Sequence, residues 1–333
     1  MRTYAKHIAW IVIVLLFSFD TKACDICGTF MGITPYDNQS NIMLLHRYRL
    51  FSQLDGINNP VFPSGAYRLP GNYSPLHSAH ETPEYVKGDF ESFKTYEVRM
   101  KYFIHQRVEL TGILPVVMNK YRTGGITEKV NGISDPVLMV GYHVIRRVED
   151  VKFMQRLIIG IGIKFRAGND AVMNDGSERH TLFMQPGTGT NDVMGYFQYL
   201  AGYKKCGLSF TLTGKQNGTN AYGEQIAFSS TVSSGLFYRI KKNKFTFMPQ
   251  LQFYSEYTKG VYVNHVFQEH SGVNTGMLGA GTDIYLKQFG FHSAVQWALY
   301  DKNRTYAPGA TMRAVVGLSF NFNQSKYILS SKK

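Results

Sequence analysis

Apolar and polar residues alternate with a period of two along most of this chain, in stretches of 10–16 residues. Near the C-terminus Met312, Ala314, Val316, Leu318, Phe320 and Phe322 alternate with Arg313, Val315, Gly317, Ser319 and Asn321. Tyr96, Val98, Met100, Tyr102 and Ile104 alternate with Thr95, Glu97, Arg99, Lys101 and Phe103. A third stretch sets Leu278, Ala280, Thr282, Ile284 and Leu286 against Gly279, Gly281, Asp283, Tyr285 and Lys287. This period places one set on each face of a β-strand, because successive Cβ atoms point to opposite sides. The stretches are long enough for tilted strands to cross a bilayer with the apolar set toward lipid.

Twelve such strands are predicted, at 41–51, 92–104, 107–121, 135–147, 152–166, 191–202, 207–216, 226–241, 244–257, 274–286, 289–301 and 309–322. The connections alternate in length. Residues 52–90, 122–134, 167–190, 217–225, 258–273 and 302–308 form long ones, whereas 105–106, 148–151, 203–206, 242–243 and 287–288 are tight. An even strand number with long loops at one end and short turns at the other is the layout of an outer-membrane barrel, with both termini in the periplasm. A soluble β-sandwich gives no reason for that asymmetry. The expected fold is all-β, a transmembrane antiparallel up-and-down barrel of about twelve strands over 41–322.

The ends have other roles. Arg2, Lys6 and His7 precede the apolar run Ile8–Phe19, and Ala23 stands before Cys24, so residues 1–23 read as a secretory signal peptide. The apolar run is too short for a comfortable helical span. Residues 24–40 form a cysteine-bearing segment with little periodicity, a candidate plug, and 323–333 a periplasmic tail. Composition agrees with a strand-rich chain: 22 Tyr, 23 Phe and 32 Gly, with only 18% charged residues. The mature chain carries 33 basic and 22 acidic residues, so +11. That balance suits anionic partners, such as lipopolysaccharide phosphates in the surrounding lipid or an acidic solute. No clustered basic run or recognition motif points to nucleic acid, and no cofactor motif is present: Gly189 lacks the Lys and Ser/Thr of a phosphate loop. Gly160-Ile161-Gly162 and Gly279-Ala280-Gly281 lie within strands, where glycine eases curvature or leaves room for interior side chains.

Val315-Val316-Gly317-Leu318-Ser319-Phe320-Asn321-Phe322 resembles the terminal signal read by the barrel-insertion machinery, a partner expected on that ground, although an 11-residue tail follows it. Gly132-Ile133-Ser134-Asp135-Pro136-Val137-Leu138 resembles the Gly-x-x-Asp-Pro strand start of a transporter-like outer-membrane family named for the meta-pathway of phenol degradation. Gln185-Pro186-Gly187-Thr188-Gly189-Thr190-Asn191-Asp192 is similar to that family's Gly-Thr-Gly loop-to-strand element. The resemblance implies a barrel that passes small molecules. On the residues alone, Gly187, Thr188 and Gly189 are either a turn entering a strand or a loop that constricts the bore.

Carrying the alternation through, the lumen-facing set includes Arg47, Arg49, Arg99, Lys101, Arg156, Lys164, Arg166, Lys215, Arg239 and Arg313, opposed by Glu97, Glu109, Glu256 and Asp283, with His292 as a polar neighbour. An open, wet bore of this sign favours anions; a network paired across strands fills it instead. Cys24, Cys27 and the turn residue Cys206 all fall on the periplasmic side. Either Cys24 carries lipid while Cys27 pairs with Cys206, or Cys24 and Cys27 hold a soft metal or are oxidised together. His77, His80, His265 and His270 read as ordinary loop residues, and no nucleophile with its base is legible, so an enzyme is not expected. The leading function is passage of small molecules, hydrophobic or anionic. A closed barrel acting as a structural or partner-binding anchor is the alternative, and a surface lipid-modifying enzyme the third reading.

Overall fold

The computed structural model describes residues 39–52, 88–123, 125–147, 153–176, 178–268, 271–302 and 310–323. The signal segment, Cys24, Cys27, the candidate plug segment 24–40 up to residue 38 and the tail beyond 323 lie outside the described residues, and Gln39 and Ser40 belong to the first strand instead of a plug. Strands β1 (Gln39–Ser52), β2 (Phe90–His105), β3 (Val108–Thr123), β4 (Ile126–Ile133), β5 (Val137–Arg147) and β6 (Phe153–Lys164) come first. They are followed by β7 (Asp192–Tyr203), β8 (Cys206–Gln216), β9 (Glu224–Ile226), β10 (Ser229–Tyr238), β11 (Ile240–Lys242) and β12 (Phe245–Thr258). The last are β13 (Val261–Val263), β14 (Val266–Gln268), β15 (Val273–Leu286), β16 (Phe289–Lys302) and β17 (Ala310–Asn323).

All wall pairings are antiparallel between sequence neighbours, and β1 closes on β17, so twelve strands form a complete barrel. Closure leaves no unpaired edge in the wall, which a bilayer interior demands. The alternation decides which face is which. Leu114, Ile161 and Leu318 are 60%, 71% and 60% exposed on the outside, while Glu109, His143, Asp283 and His292 are fully buried inside. Inward polar and outward apolar is the reverse of a soluble protein and is the pattern of a barrel solvated by lipid.

Several expected boundaries change. Residues 122–134 are not a plain loop: β3, still paired with β2, runs on to Thr123 and pairs with β4 as a hairpin that continues the sheet past the start of β5. The interruption falls where prolines stand. β3 switches partner from β5 to β4 around Pro115, whose carbonyl accepts from Ser134 N–H at 2.9 Å, and Pro136 precedes β5. Neither proline has an N–H for the ladder, so the pairing must change there. The expected strand 226–241 is divided into the end of β9, then β10 and β11. The loops 217–225 and 258–273 contribute β9, β13 and β14 to a small sheet of their own. Finally, β6 ends at Lys164, two residues before its expected end.

At the other end the connections are tight. Lys204, Asn243 and Lys287 take positive φ values of 53°, 52° and 54° in the turns β7–β8, β11–β12 and β15–β16. A left-handed residue reverses a twisted hairpin in two residues.

Candidate functional site: the bore and the loop latched into it

The loop-end part of the interior is organised by Asp135. It sits between β4 and β5, and its two oxygens collect four donors from the 165–191 loop. Oδ1 accepts from Ala167 N–H at 3.1 Å and Gly168 N–H at 2.8 Å. Oδ2 accepts from Thr188 N–H at 2.9 Å and Thr188 Oγ1 at 3.1 Å. Lys164, at the end of β6, places Nζ 2.6 Å from Asp135 Oδ2 and 3.0 Å from Asp192 Oδ2, and also donates to Thr188 Oγ1. Lys215 of β8 approaches Asp192 Oδ2 at 3.4 Å. Burial alone would raise the Asp135 pKa; the Lys164 ammonium and the N–H groups of Thr188 and Gly168 outweigh it and hold the carboxyl below its usual range.

This latch fixes the Gly-Thr-Gly segment, and residues 184–190 are buried. Gly189 has φ +74°, and a Cβ there would meet Asp170 Oδ2 at 1.9 Å. Gly187 packs against Gly168, where a Cβ would lie 2.7 Å from the Gly168 Cα. Only glycine allows both contacts. The rest of the loop packs between two walls. Asn119 Nδ2 of β3 donates to Met184 O at 3.0 Å, and Tyr121 Oη lies 3.0 Å from His180 Nδ1. On the far side Leu182 packs with Ile226 and Val261, and Arg179 pairs with Glu224 at 2.8 Å while stacking over Tyr222.

Elsewhere in the bore the charges also meet in pairs. Glu97 accepts from both Arg47 and Arg99. Arg49 of β1 reaches Glu256 of β12, four strands away around the wall, so this ion pair crosses part of the lumen. Tyr254 Oη donates to Glu256 Oε2 at 2.9 Å, and Arg313 stacks over the Tyr254 ring while donating to Gln296 Oε1 at 2.7 Å. Nearer the turn end Glu109 takes Lys101 at 3.6 Å, His143 Nε2 at 3.0 Å and Tyr196 Oη at 3.3 Å. Tyr196 reaches Glu109 by lying over Gly160 and Gly141, where an added Cβ would sit 2.1 Å from its ring and its hydroxyl respectively. His292 joins Asp283 at 2.8 Å to Ser319 at 2.9 Å. That acid–imidazole–hydroxyl order is shared with hydrolases, but all three side chains are buried against the wall. Leu200, Phe237, Met248 and Tyr285, with Met154, pack together toward the turn end.

Two expected lumen residues are placed elsewhere. Arg166 lies past the end of β6, on the loop, half exposed and 3.6 Å from Asp170, because the alternation that pointed it inward stops at Lys164. Arg239 stands in the break between β10 and β11 at the turn-end rim, donating to Lys204 O at 3.3 Å beside Lys205 and Cys206. Arg156 is buried on β6. Cys206 is exposed in the β7–β8 turn and has no disulfide partner among the described residues. Asp135 and Asp192 were not foreseen as interior acids. Asp135 lies between β4 and β5, and Asp192 is the first residue of β7, so alternation gave neither a direction.

No family model matches the sequence, and no curated protein matches it. Solved structures do. An outer membrane channel from Pseudomonas putida F1 is 11% identical, with 89% of this chain and 98% of that chain covered and a TM-score of 0.62. The chain folds as an outer-membrane β-barrel. The transport unit of the autotransporter AIDA-I from Escherichia coli (10% identity, 89% and 94% covered, TM-score 0.46) and the CymD monoaromatic hydrocarbon channel (9%, 91% and 94%, 0.39) overlap more loosely.

Proposed function

We propose that this barrel passes small, neutral or anionic molecules across the outer membrane, and that the latched 165–191 loop is the constriction controlling the path. The observation that carries this reading is the latch itself: Asp135 and Lys164 hold Thr188 over the loop-end interior by charge and hydrogen bonds, not by apolar packing. The two segments resembling elements of a transporter-like family meet at this point. Among the other paired charges of the bore, the basic side chains remain the more numerous, which favours anions over cations. A channel fold in a similar protein is consistent with the proposal.

A closed anchor is the second reading, and the Arg49–Glu256 pair crossing the lumen favours it. Conductance of the purified protein in a planar bilayer, with the reversal potential under a salt gradient, separates the two. The channel reading expects small steps with anion preference, more frequent in Asp135→Asn. Silence from both wild type and Asp135→Asn would assign the barrel to the anchor.

A further inference from the structure

The outer surface of the β2–β3–β4 region changes character sharply along the strands. On β2 the outward residues Ile104, Tyr102, Met100, Val98 and Tyr96 are 39–55% exposed and apolar or aromatic; the next outward position is Lys94. On β3 the outward series Leu114, Val116 and Met118 gives way to Lys120 and Arg122. An apolar band about 25 Å tall is what a barrel presents to hydrocarbon, so the residues that end it lie at headgroup level. The change occurs toward the long loops, which face the cell exterior.

The register concentrates these cations. Lys120 stands directly opposite Lys129 of β4 on the outward face, and Met118, next outward from Lys120, is opposite Lys94. Arg122 follows Lys120 two residues on, so all four lie on one patch of one face. Like charges directly opposite across a ladder destabilise it. No acidic side chain relieves them: none of the four makes an ion pair among the described residues, and Glu128 of the same hairpin is engaged with Tyr121 and His180. Lys94 and Lys120 instead extend over the rings of Tyr48 and Phe90, at 6.0 and 5.2 Å, which positions their stems on the outside of the wall. The four cations thus stand together at headgroup level with no carboxylate paired to them among the described residues.

We propose that Lys94, Lys120, Arg122 and Lys129 form a docking site for the phosphate groups of a phosphorylated glycolipid in the outer leaflet, with its acyl chains along Leu114, Val116 and Met118. Ammonium and guanidinium groups give phosphate charge-assisted hydrogen bonds, and the adjoining apolar band supplies the second half of an amphiphile's site. The proposal rests on the outer-membrane location and is independent of whether the bore conducts.

The test is native mass spectrometry of the folded protein in detergent, titrated with bisphosphorylated lipid A, with its dephosphorylated form, and with inorganic phosphate as competitor. Wild type should retain the bisphosphorylated lipid about tenfold better than the dephosphorylated one, the scale of one charged hydrogen bond. Lys120→Ser with Lys129→Ser should lose that preference. Lys120→Arg with Lys129→Arg should keep it, as should Lys241→Ser with Lys242→Ser at the turn end; heat-modified gel mobility reports folding of each. Equal retention of both lipids, or an undiminished preference in the double serine variant, would overturn the site. Displacement of the lipid by low-millimolar inorganic phosphate would overturn the lipid assignment in favour of free phosphate.

Discussion

The two ends of the interior are held by different forces. At the turn end Leu200, Phe237, Met248 and Tyr285 pack together, and the hairpins beneath them close in two residues. At the loop end Asp135, Lys164, Thr188, Asp192 and Lys215, drawn from four separate stretches of chain, hold one another by ion pairs and hydrogen bonds. Apolar packing is non-directional and weakens gradually as groups move apart. A buried charge cluster behaves otherwise: removal of one member leaves the others uncompensated. Opening is therefore expected at the loop end, by release of a discrete latch, while the side-chain packing at the turn end stays as it is.

The largest effect should come from breaking the latch at its cation. Lys164→Met leaves Asp135 and Asp192 facing each other without their shared ammonium. The expected loss is about 3–5 kcal/mol, the cost of stripping one partner from a buried pair. Reversible urea unfolding from lipid vesicles measures it, and a loss below about 1 kcal/mol, the range of an exposed pair, would show the cluster to be solvated. The same variant should conduct more often than wild type.

A smaller effect midway along the wall, below the latch, sharpens the contrast. Gly160→Ala places a methyl 2.1 Å from the Tyr196 ring and 2.6 Å from Val140 O. Overpacking of this kind costs about 1–3 kcal/mol. Adding Tyr196→Val should recover part of it, since the two positions share one space and their effects are not additive. Conductance should not rise. Increased openings in Gly160→Ala would remove the distinction between the latch and the wall beneath it.

The barrel itself was legible because each strand carries its own statement of which face meets lipid. Val316, Leu318 and Phe320 are outside and Arg313, Ser319 and Asn321 inside, as their alternation requires. The latch was legible only in pieces. The sequence marks Asp135-Pro136 and Gly187-Thr188-Gly189 as unusual, but 53 residues separate Asp135 from Thr188, and no local period states that one carboxylate accepts from both ends of a loop. Arg166 shows the opposite failure: alternation was carried past the residue where the strand stops. The small sheet of β9, β13 and β14 was missed for a third reason. Its strands are three residues each, too short for a period to register.

The subtlest test of the loop end is its response to acid. Desolvation pushes the Asp135 carboxyl up, and Lys164 with the Thr188 and Gly168 N–H groups pulls it further down, so its folded value lies below its unfolded one. A carboxyl shifted in that direction contributes stability that is fully present above the unfolded value, about 3.9, and is lost as pH falls through the folded value. The stability difference between wild type and Asp135→Asn should therefore stay level from pH 7 to pH 5 and shrink only below about pH 4. Urea midpoints of the two proteins across that range isolate this one group, because every other titration is common to both. A difference already shrinking at pH 6 would mean that burial, and not Lys164, governs the carboxyl, and the latch would then be a proton-sensitive gate instead of one that holds through mild acid.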